Sequence, residues 1–246
     1  VPTDEAEQGL RLGDEMRWDQ LEAPTWPEPI TNEAAKQSVA EQLAAKAADG
    51  DVIGIGSGST SYLALLALQQ RVAAEGLRVR CVPTSLEIES YLTEIGLQVT
   101  SLMADRPDWC FDGADEIDPE HNLIKGRGGA FVREKLVFAA ARRRFILVDE
   151  SKFVGRLGDK FKLPLAVIPE AVNLVRSQIF ELLGEVPQVR PAGGKDGGVI
   201  TEQGDLVLDL ALTGSVPIAE LNSKLNSVVG VVGTGLFTGF EFDVIS

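Results

Sequence analysis

The sequence predicts an α/β protein: a Rossmann-like parallel sheet with helices on both faces, plus a smaller α+β domain of ferredoxin-like type. Three observations carry this reading. From residue 30 to about residue 150, short apolar runs bounded by Gly, Pro and Asp alternate with helix-length segments, the spacing of strand–helix–strand units. A glycine-rich joint, Gly56-Ser-Gly-Ser-Thr60, connects the first such run to a helix. After Lys152 the order becomes strand, helix, strand, strand, strand, with Gly193-Gly194 and Gly197-Gly198 at turns.

In chain order, residues 1–29 read as an acidic extension closed by Pro24, Pro27 and Pro29, which discourage regular structure. Thr31 or Asn32 is placed to cap a helix that runs to about Ala48. Asp49-Gly50 then turns the chain into a strand at Asp51–Ile55. A helix is expected from Ser61 to about Ala74, a strand over Arg78–Pro83, and a helix from Glu87 to Ile95 ended by Gly96. Val99–Met103 and Trp109–Phe111 read as strands, Phe131–Arg143 as a helix and Phe145–Asp149 as a strand. The second part is expected to hold strands at Pro164–Ile168, Gln188–Arg190, Val199–Thr201 and Leu206–Leu210, with a helix over Ala171–Leu183. Val228–Ile245 is expected to return to the first sheet. The implied organisation is an extension (1–29), a large α/β domain (30–158 plus 233–246) and a small α+β domain (159–232).

Composition narrows the function classes. The chain has 246 residues, 44% of them hydrophobic, enough for a large core. No apolar run approaches the roughly 20 residues of a membrane span. Net charge is -14, and residues 1–29 contribute eight acids against two bases. Nucleic acid and anionic membranes both select basic patches, so this balance argues against either partner. A phosphate would have to be captured by local groups. Cys81 and Cys110 lie in strand-like runs and read as buried thiols in a reducing compartment. His121 is the lone histidine; it argues against a zinc site, and no Gly-x-Ser-x-Gly elbow accompanies it.

Three segments hold chemistry. In Gly56-Ser57-Gly58-Ser59-Thr60, inward-facing amides, three hydroxyls and a helix N-terminus form an anion site; a plain tight turn is the alternative. An acidic turn, Asp112-Gly113-Ala114-Asp115-Glu116 with Asp118, follows the Trp109 strand, where open α/β sheets bind ligands. Crowded carboxylates there perturb one another and suit proton transfer. Last, Lys125-Gly126-Arg127-Gly128-Gly129-Ala130 opens the helix that carries Glu134. At 100° per residue, Glu134 lies nearly opposite the Val132–Leu136–Ala139 face, flanked by Val137, Phe138 and Ala141. Apolar walls favour a useful base, while the helix N-terminus favours the anion. Lys152 adds a cation at another strand end.

Taken with Pro83-Thr-Ser85, Arg133-Glu-Lys135 and Gly235-Leu-Phe237, these segments resemble A-type ribose-5-phosphate isomerase in order and spacing over residues 30–246. The resemblance implies an aldose–ketose isomerase of the non-oxidative pentose phosphate pathway, interconverting D-ribose 5-phosphate and D-ribulose 5-phosphate through an enediolate. It implies Glu134 as the base between C2 and C1, Asp112 and Asp115 near the sugar hydroxyls, and Lys125 beside the enediolate oxygen. Ser57, Gly58, Ser59, Thr60, Gly113, Ala114, Gly126, Arg127, Gly128 and Lys152 match substrate-contacting positions. It further implies a cytoplasmic homodimer or homotetramer (stromal for a processed plastid form), with a small sugar phosphate as its partner and no metal or cofactor. Ser57 stands where the family often has Thr. Two other classes fit less well: a sugar-phosphate sensor would carry a basic helix-turn-helix where residues 1–29 are acidic, and a CoA-transferase-like fold would need a long nucleotide groove.

Overall fold

The computed structural model describes residue 26, residues 29–214 and residues 216–246. The expectation for residues 1–29 therefore lies almost wholly outside the described residues. The first part of the chain builds α1 (Glu33–Ala44), β1 (Val52–Ile55), α2 (Ser59–Glu75), β2 (Arg80–Pro83), α3 (Leu86–Glu94), β3 (Gln98–Val99) and β4 (Trp109–Gly113). After two short strands, β5 (Glu116–Ile117) and β6 (Leu123–Ile124), come α4 (Phe131–Ala140) and β7 (Arg143–Leu147). The remainder supplies β8 (Leu163–Val167), α5 (Val172–Leu183), β9 (Gln188–Val189), β10 (Leu206–Leu210), α6 (Ile218–Ser227), β11 (Val231–Thr234), β12 (Leu236–Phe237) and β13 (Asp243–Ile245).

The main sheet has six strands in the order β13-β7-β4-β1-β2-β3, every neighbouring pair parallel. Both faces are covered, as a parallel sheet requires. One face buries Ile53, Ile55, Phe111 and Phe145 against α1, α2 and α3 residues such as Leu43, Leu65 and Leu92. The other buries Cys110 and Ile146 with Val137 and Phe138 of α4. Cys81 and Cys110 are buried free thiols inside β2 and β4. Burial pushes the Cys81 thiol up to about 12 and raises Cys110 further above its ordinary range. A second, antiparallel sheet, β11-β8-β10-β9, shares its core with α5 and α6 through Leu165, Val175, Ile179, Leu208 and Leu225. No helix of the described residues is long and apolar enough to cross a membrane.

Several elements differ from the sequence reading. The strand expected at Val99–Met103 stops at Val99, because Thr100 turns its hydroxyl onto Asp105 Oδ2 at 2.6 Å and Ala104 N closes a turn on Ser101 O. The helix expected to reach Arg143 ends at Ala140, since Arg142 and Arg143 donate their amides to Pro107 and Asp108 carbonyls. Asn32 sits in the left-handed region (φ 54°) and does not cap α1 through its side chain. Val199–Thr201 forms only a bridge to Leu206. Helix α6 was not expected at all. The segment expected to return whole to the first sheet divides among three: β11 pairs with β8, β12 with β6 and β13 with β7.

Glu116 is the largest local surprise. It belongs to the acidic turn, yet it is fully buried and accepts the amides of Gly158 (2.6 Å), Lys160 (2.5 Å) and Phe161 (2.7 Å). Its carboxylate staples the segment entering β8 to β5. Glu116→Ala would strand three inward-facing amide donors, so stability in urea unfolding is expected to fall by about 3 kcal/mol or more. An unchanged midpoint and slope would contradict this role.

Candidate active site

Strands of the main sheet progress one way through β1, β2 and β3 and the other way through β4, β7 and β13. Loops leaving β1 and β4 therefore diverge and open a crevice at their carboxyl ends. Gly56 lies on one side of it and Asp112 on the other. They touch: a Cβ on Gly56 would fall 2.5 Å from Asp112 Oδ1, so only glycine fits there. Ser57 N, donated by the same loop, reaches Asp112 Oδ1 at 3.2 Å, and Gly113 N reaches it at 2.8 Å.

Lys125 stands at the centre of the crevice. Its backbone is fixed by donation from Lys125 N to Gly235 O at 2.9 Å. Its ammonium lies 3.1 Å from Asp112 Oδ2, 3.0 Å from Glu134 Oε2 and 2.6 Å from Gly113 O. All three side chains are buried, with Asp112 at 3%, Lys125 at 4% and Glu134 at 6% exposure. The Lys125–Glu134 approach is an ion pair without hydrogen-bond alignment, so Glu134 Oε2 is a buried oxygen that accepts no hydrogen bond. One ammonium faces two carboxylates, and burial opposes a net charge. Accordingly, desolvation and the nearby Glu134 push Asp112 up to about 8, against the pull of Lys125. For Lys125, burial favours the neutral amine, but Asp112 and Glu134 outweigh it and raise its pKa.

Gly126 makes the approach to Glu134 possible. Its φ of 113° is open to glycine, and a Cβ there would meet the Phe131 ring at 2.6 Å. The chain thus bends straight from Lys125 into the start of α4, where Glu134 occupies the first turn. As its helical position predicts, Glu134 shares its side of α4 with buried Val137 and Phe138, while Leu136 is exposed.

A second group of donors lies at the start of α2. The helix begins at Ser59, two residues earlier than expected, and its N-cap is Gly58 (φ 92°), which has no side chain to cap with. The first amides are left open to an anion. Ser57 Oγ lies 2.9 Å from Thr84 Oγ1 and 3.2 Å from Ser85 Oγ, which places the Pro83-Thr-Ser85 joint beside it. Lys36 of α1 donates to Ser59 Oγ at 2.9 Å. It is 9% exposed, and its pKa is lowered by burial first, with Asp149 opposing and Lys152 adding to the shift. Lys36, Ser59 and the Asp149–Lys152 turn therefore share one corner.

The structure brings Asp112, Gly113, Lys125, Gly126 and Glu134 into one cluster, and Ser57, Gly58, Ser59, Thr60 and Lys152 toward another. Asp115 stands apart from the ion-paired trio; it accepts Arg127 N at 3.0 Å and, with Arg127, lines a hollow of about 330 Å³. Ala114 packs with the second core, and Gly128 is exposed. Lys36 was missed. Its signal was a basic residue on the face of α1 that carries Val39, Ala40 and Leu43, where a lysine has no packing reason to be.

Residues 80–246 match the family model for ribose 5-phosphate isomerase A (phosphoriboisomerase A). The chain is 44% identical to ribose-5-phosphate isomerase A of Methanothermobacter thermautotrophicus, covering 80% of this chain and 87% of that one. It is 42% identical to the Synechococcus sp. protein of the same name, covering 86% and 91%. The solved ribose 5-phosphate isomerase A of Methanocaldococcus jannaschii superposes with a TM-score of 0.83 at 36% identity, covering 88% of this chain and 96% of that one. Another solved D-ribose-5-phosphate isomerase, in complex with phospho-erythronic acid, gives 0.80 at 32% identity, covering 84% and 91%. Likeness of this extent, on a fold whose crevice gathers a lysine and two acids, makes the chain a member of the ribose 5-phosphate isomerase A family and an isomerase.

Proposed function

We propose that the protein interconverts D-ribose 5-phosphate and D-ribulose 5-phosphate by proton transfer through an enediolate, with Glu134 as the base. The observation that carries this is the buried Glu134 carboxylate in the first turn of α4, its Oε2 held 3.0 Å from the Lys125 ammonium. A buried carboxylate fixed on a helix turn beside an ammonium, with water kept out, is placed to carry a proton between two carbons of a bound substrate. In the opened aldose, Glu134 takes the proton from C2 and the charge forms on O1; the hydroxyl proton passes from O2 to O1, moving the charge to O2, and Glu134 returns its proton to C1 as the C2 carbonyl forms. Lys125 supplies fixed positive charge to the enediolate oxygens, the service a metal ion would otherwise perform, so the reaction proceeds without one. Asp112, protonated below about pH 8, is suited to give a proton to the ring oxygen during opening. The start of α2, with Ser57, Ser59, Thr60, Lys36 and Lys152, is suited to the phosphate. Phospho-erythronic acid, seen in a related isomerase, is a phosphorylated sugar acid, the ligand class such a site would hold.

Glu134→Gln is expected to lower kcat by roughly 10³-fold or more while leaving the Kd for ribose 5-phosphate within about an order of magnitude. Turnover near the wild-type rate would refute the assignment of the base. Exchange of the C2 proton in deuterated water should persist with chelator present in the wild type and vanish in this variant. Lys36→Ala should raise KM by roughly tenfold or more, through loss of a charge-assisted contact, with kcat little changed; a fall confined to kcat would remove Lys36 from phosphate binding. For Asp112 the sign follows from its raised pKa: the proton is held below about pH 8 and lost above it. The kcat/KM profile should therefore decline on the alkaline side as pH passes that value, and Asp112→Asn, which has no proton to lose there, should be slower but lack that limb. An unchanged alkaline limb in Asp112→Asn would show that another group titrates.

A further inference from the structure

The loop that presents Lys125 is buried at Gly126 and Gly129 but open at the tip between them. Gly126 and Gly129 both have positive φ, 113° and 89°, and Arg127 and Gly128 are exposed. Arg127 and Asp115 border the 330 Å³ hollow, whose lining includes Lys160, Phe161, Arg190 and Asp209, so that side of the loop meets open space. Glycine-rich backbone beside open space has many conformations of similar energy. Hydrogen bonds must choose among them.

Arg190 supplies them from the second sheet. One terminal nitrogen, Nη1, donates to both Gly126 O (2.9 Å) and Arg127 O (2.8 Å). The rest of the guanidinium is held by Asp209, with Nε to Oδ2 at 2.9 Å and Nη2 to Oδ1 at 2.5 Å. Both side chains of this pair are largely buried, at 17% and 19% exposure. Arg190 is itself rooted in the sheet: its N donates to Val207 O at 2.8 Å, and its O accepts from Val199 N at 2.8 Å. A planar, bidentate fork fixes orientation as well as distance. The carbonyls it grips belong to the two residues immediately after Lys125.

We propose that Arg190, oriented by Asp209, is a positioning residue for the isomerisation: it sets the Gly126–Arg127 backbone so that the Lys125 ammonium stands where the enediolate charge develops. This rests on the role given above to Lys125. Arg190 donates to Gly126, Arg127 and Asp209, none of them in the group proposed above for the phosphate, so loss of Arg190 should act more on turnover than on binding. A displacement of the order of 1 Å at a reacting group lowers rate by up to about 10²-fold.

The test uses the full chain and steady-state kinetics with ribose 5-phosphate, with thermal unfolding of each variant followed in parallel. Arg190→Ala is expected to lower kcat roughly 10- to 100-fold with KM within about threefold. Guanidinium at millimolar concentration, entering the enlarged hollow, should restore part of kcat, which a general loss of stability would not allow. Arg190→Lys should fold where the alanine variant does not, and recover only part of kcat, because an ammonium cannot hold both carbonyls and the carboxylate in one plane. Combined with Lys125→Met, Arg190→Ala should add little further loss, since both act through one ammonium. A folded Arg190→Ala or Arg190→Lys with kcat within twofold of wild type would overturn the proposal, as would a fully multiplicative loss in the double variant. Lys125→Met by itself reports on the underlying reading: full turnover there removes the role of the lysine, whereas loss there with normal kcat in the Arg190 variants removes only the role of Arg190.

Discussion

Lys125 remains charged in a dry interior because the acids Asp112 and Glu134 and a carbonyl crowd its ammonium. The contrast with Lys135, one helical turn beyond the loop, shows what the carboxylates do. Lys135 is also largely buried, yet it has no carboxylate partner among the described residues; it donates to Thr234 O and lies 5.0 Å from the centroid of the Phe237 ring. Burial lowers its pKa to about 8, while that of Lys125 is raised. The same side chain moves in opposite directions according to its neighbours. Removing Lys125 would leave two buried acids without a counter-charge, whereas removing either acid leaves a single ion pair, so the lysine ties the local fold to the chemistry.

Much of the surrounding backbone follows from that trio. Gly56 must lack a Cβ because Asp112 fills the space. Gly126 must enter the left-handed region so that the chain can pass from Lys125 into α4 within six residues. Gly235 O fixes Lys125 N from the side of the second sheet, and Gly235 N in turn donates to Pro164 O. The small sheet is thus more than an appendage to the main one. Through Arg190, Gly235 and Glu202, whose carboxylate takes Leu86 N and Arg133 Nη1, it holds the loops that the main sheet only begins.

The parts most legible in the sequence were those governed by local pattern. Alternating apolar runs and helical segments gave the parallel sheet, and the angular position of Glu134 on α4 foretold its burial beside Val137 and Phe138. Contacts that depend on distant partners were hidden. Glu116 looks like its acidic neighbours until the amides of 158–161 are seen around it. Lys36 lies on a helix far in sequence from Ser59, and nothing local announces their meeting. Helix α6 was obscured by Pro217 before it and by its many polar residues, although Leu221 and Leu225 form a buried stripe. The final segment was read as one return to the main sheet because its strands are only two to four residues long, too short for alternation to assign each to its partner.

The two sulfhydryl groups have a consequence of their own. Both lie in central strands of the main sheet, without access to solvent, and their high pKa values leave almost no thiolate at neutral pH. Peroxide and alkylating agents attack the thiolate, so they find no ready target at either position. Among the described residues the sulfur most open to an oxidant is the thioether of Met103, 99% exposed in the turn after the edge strand. Conversion there to the sulfoxide would alter a surface turn and leave the buried sheet intact.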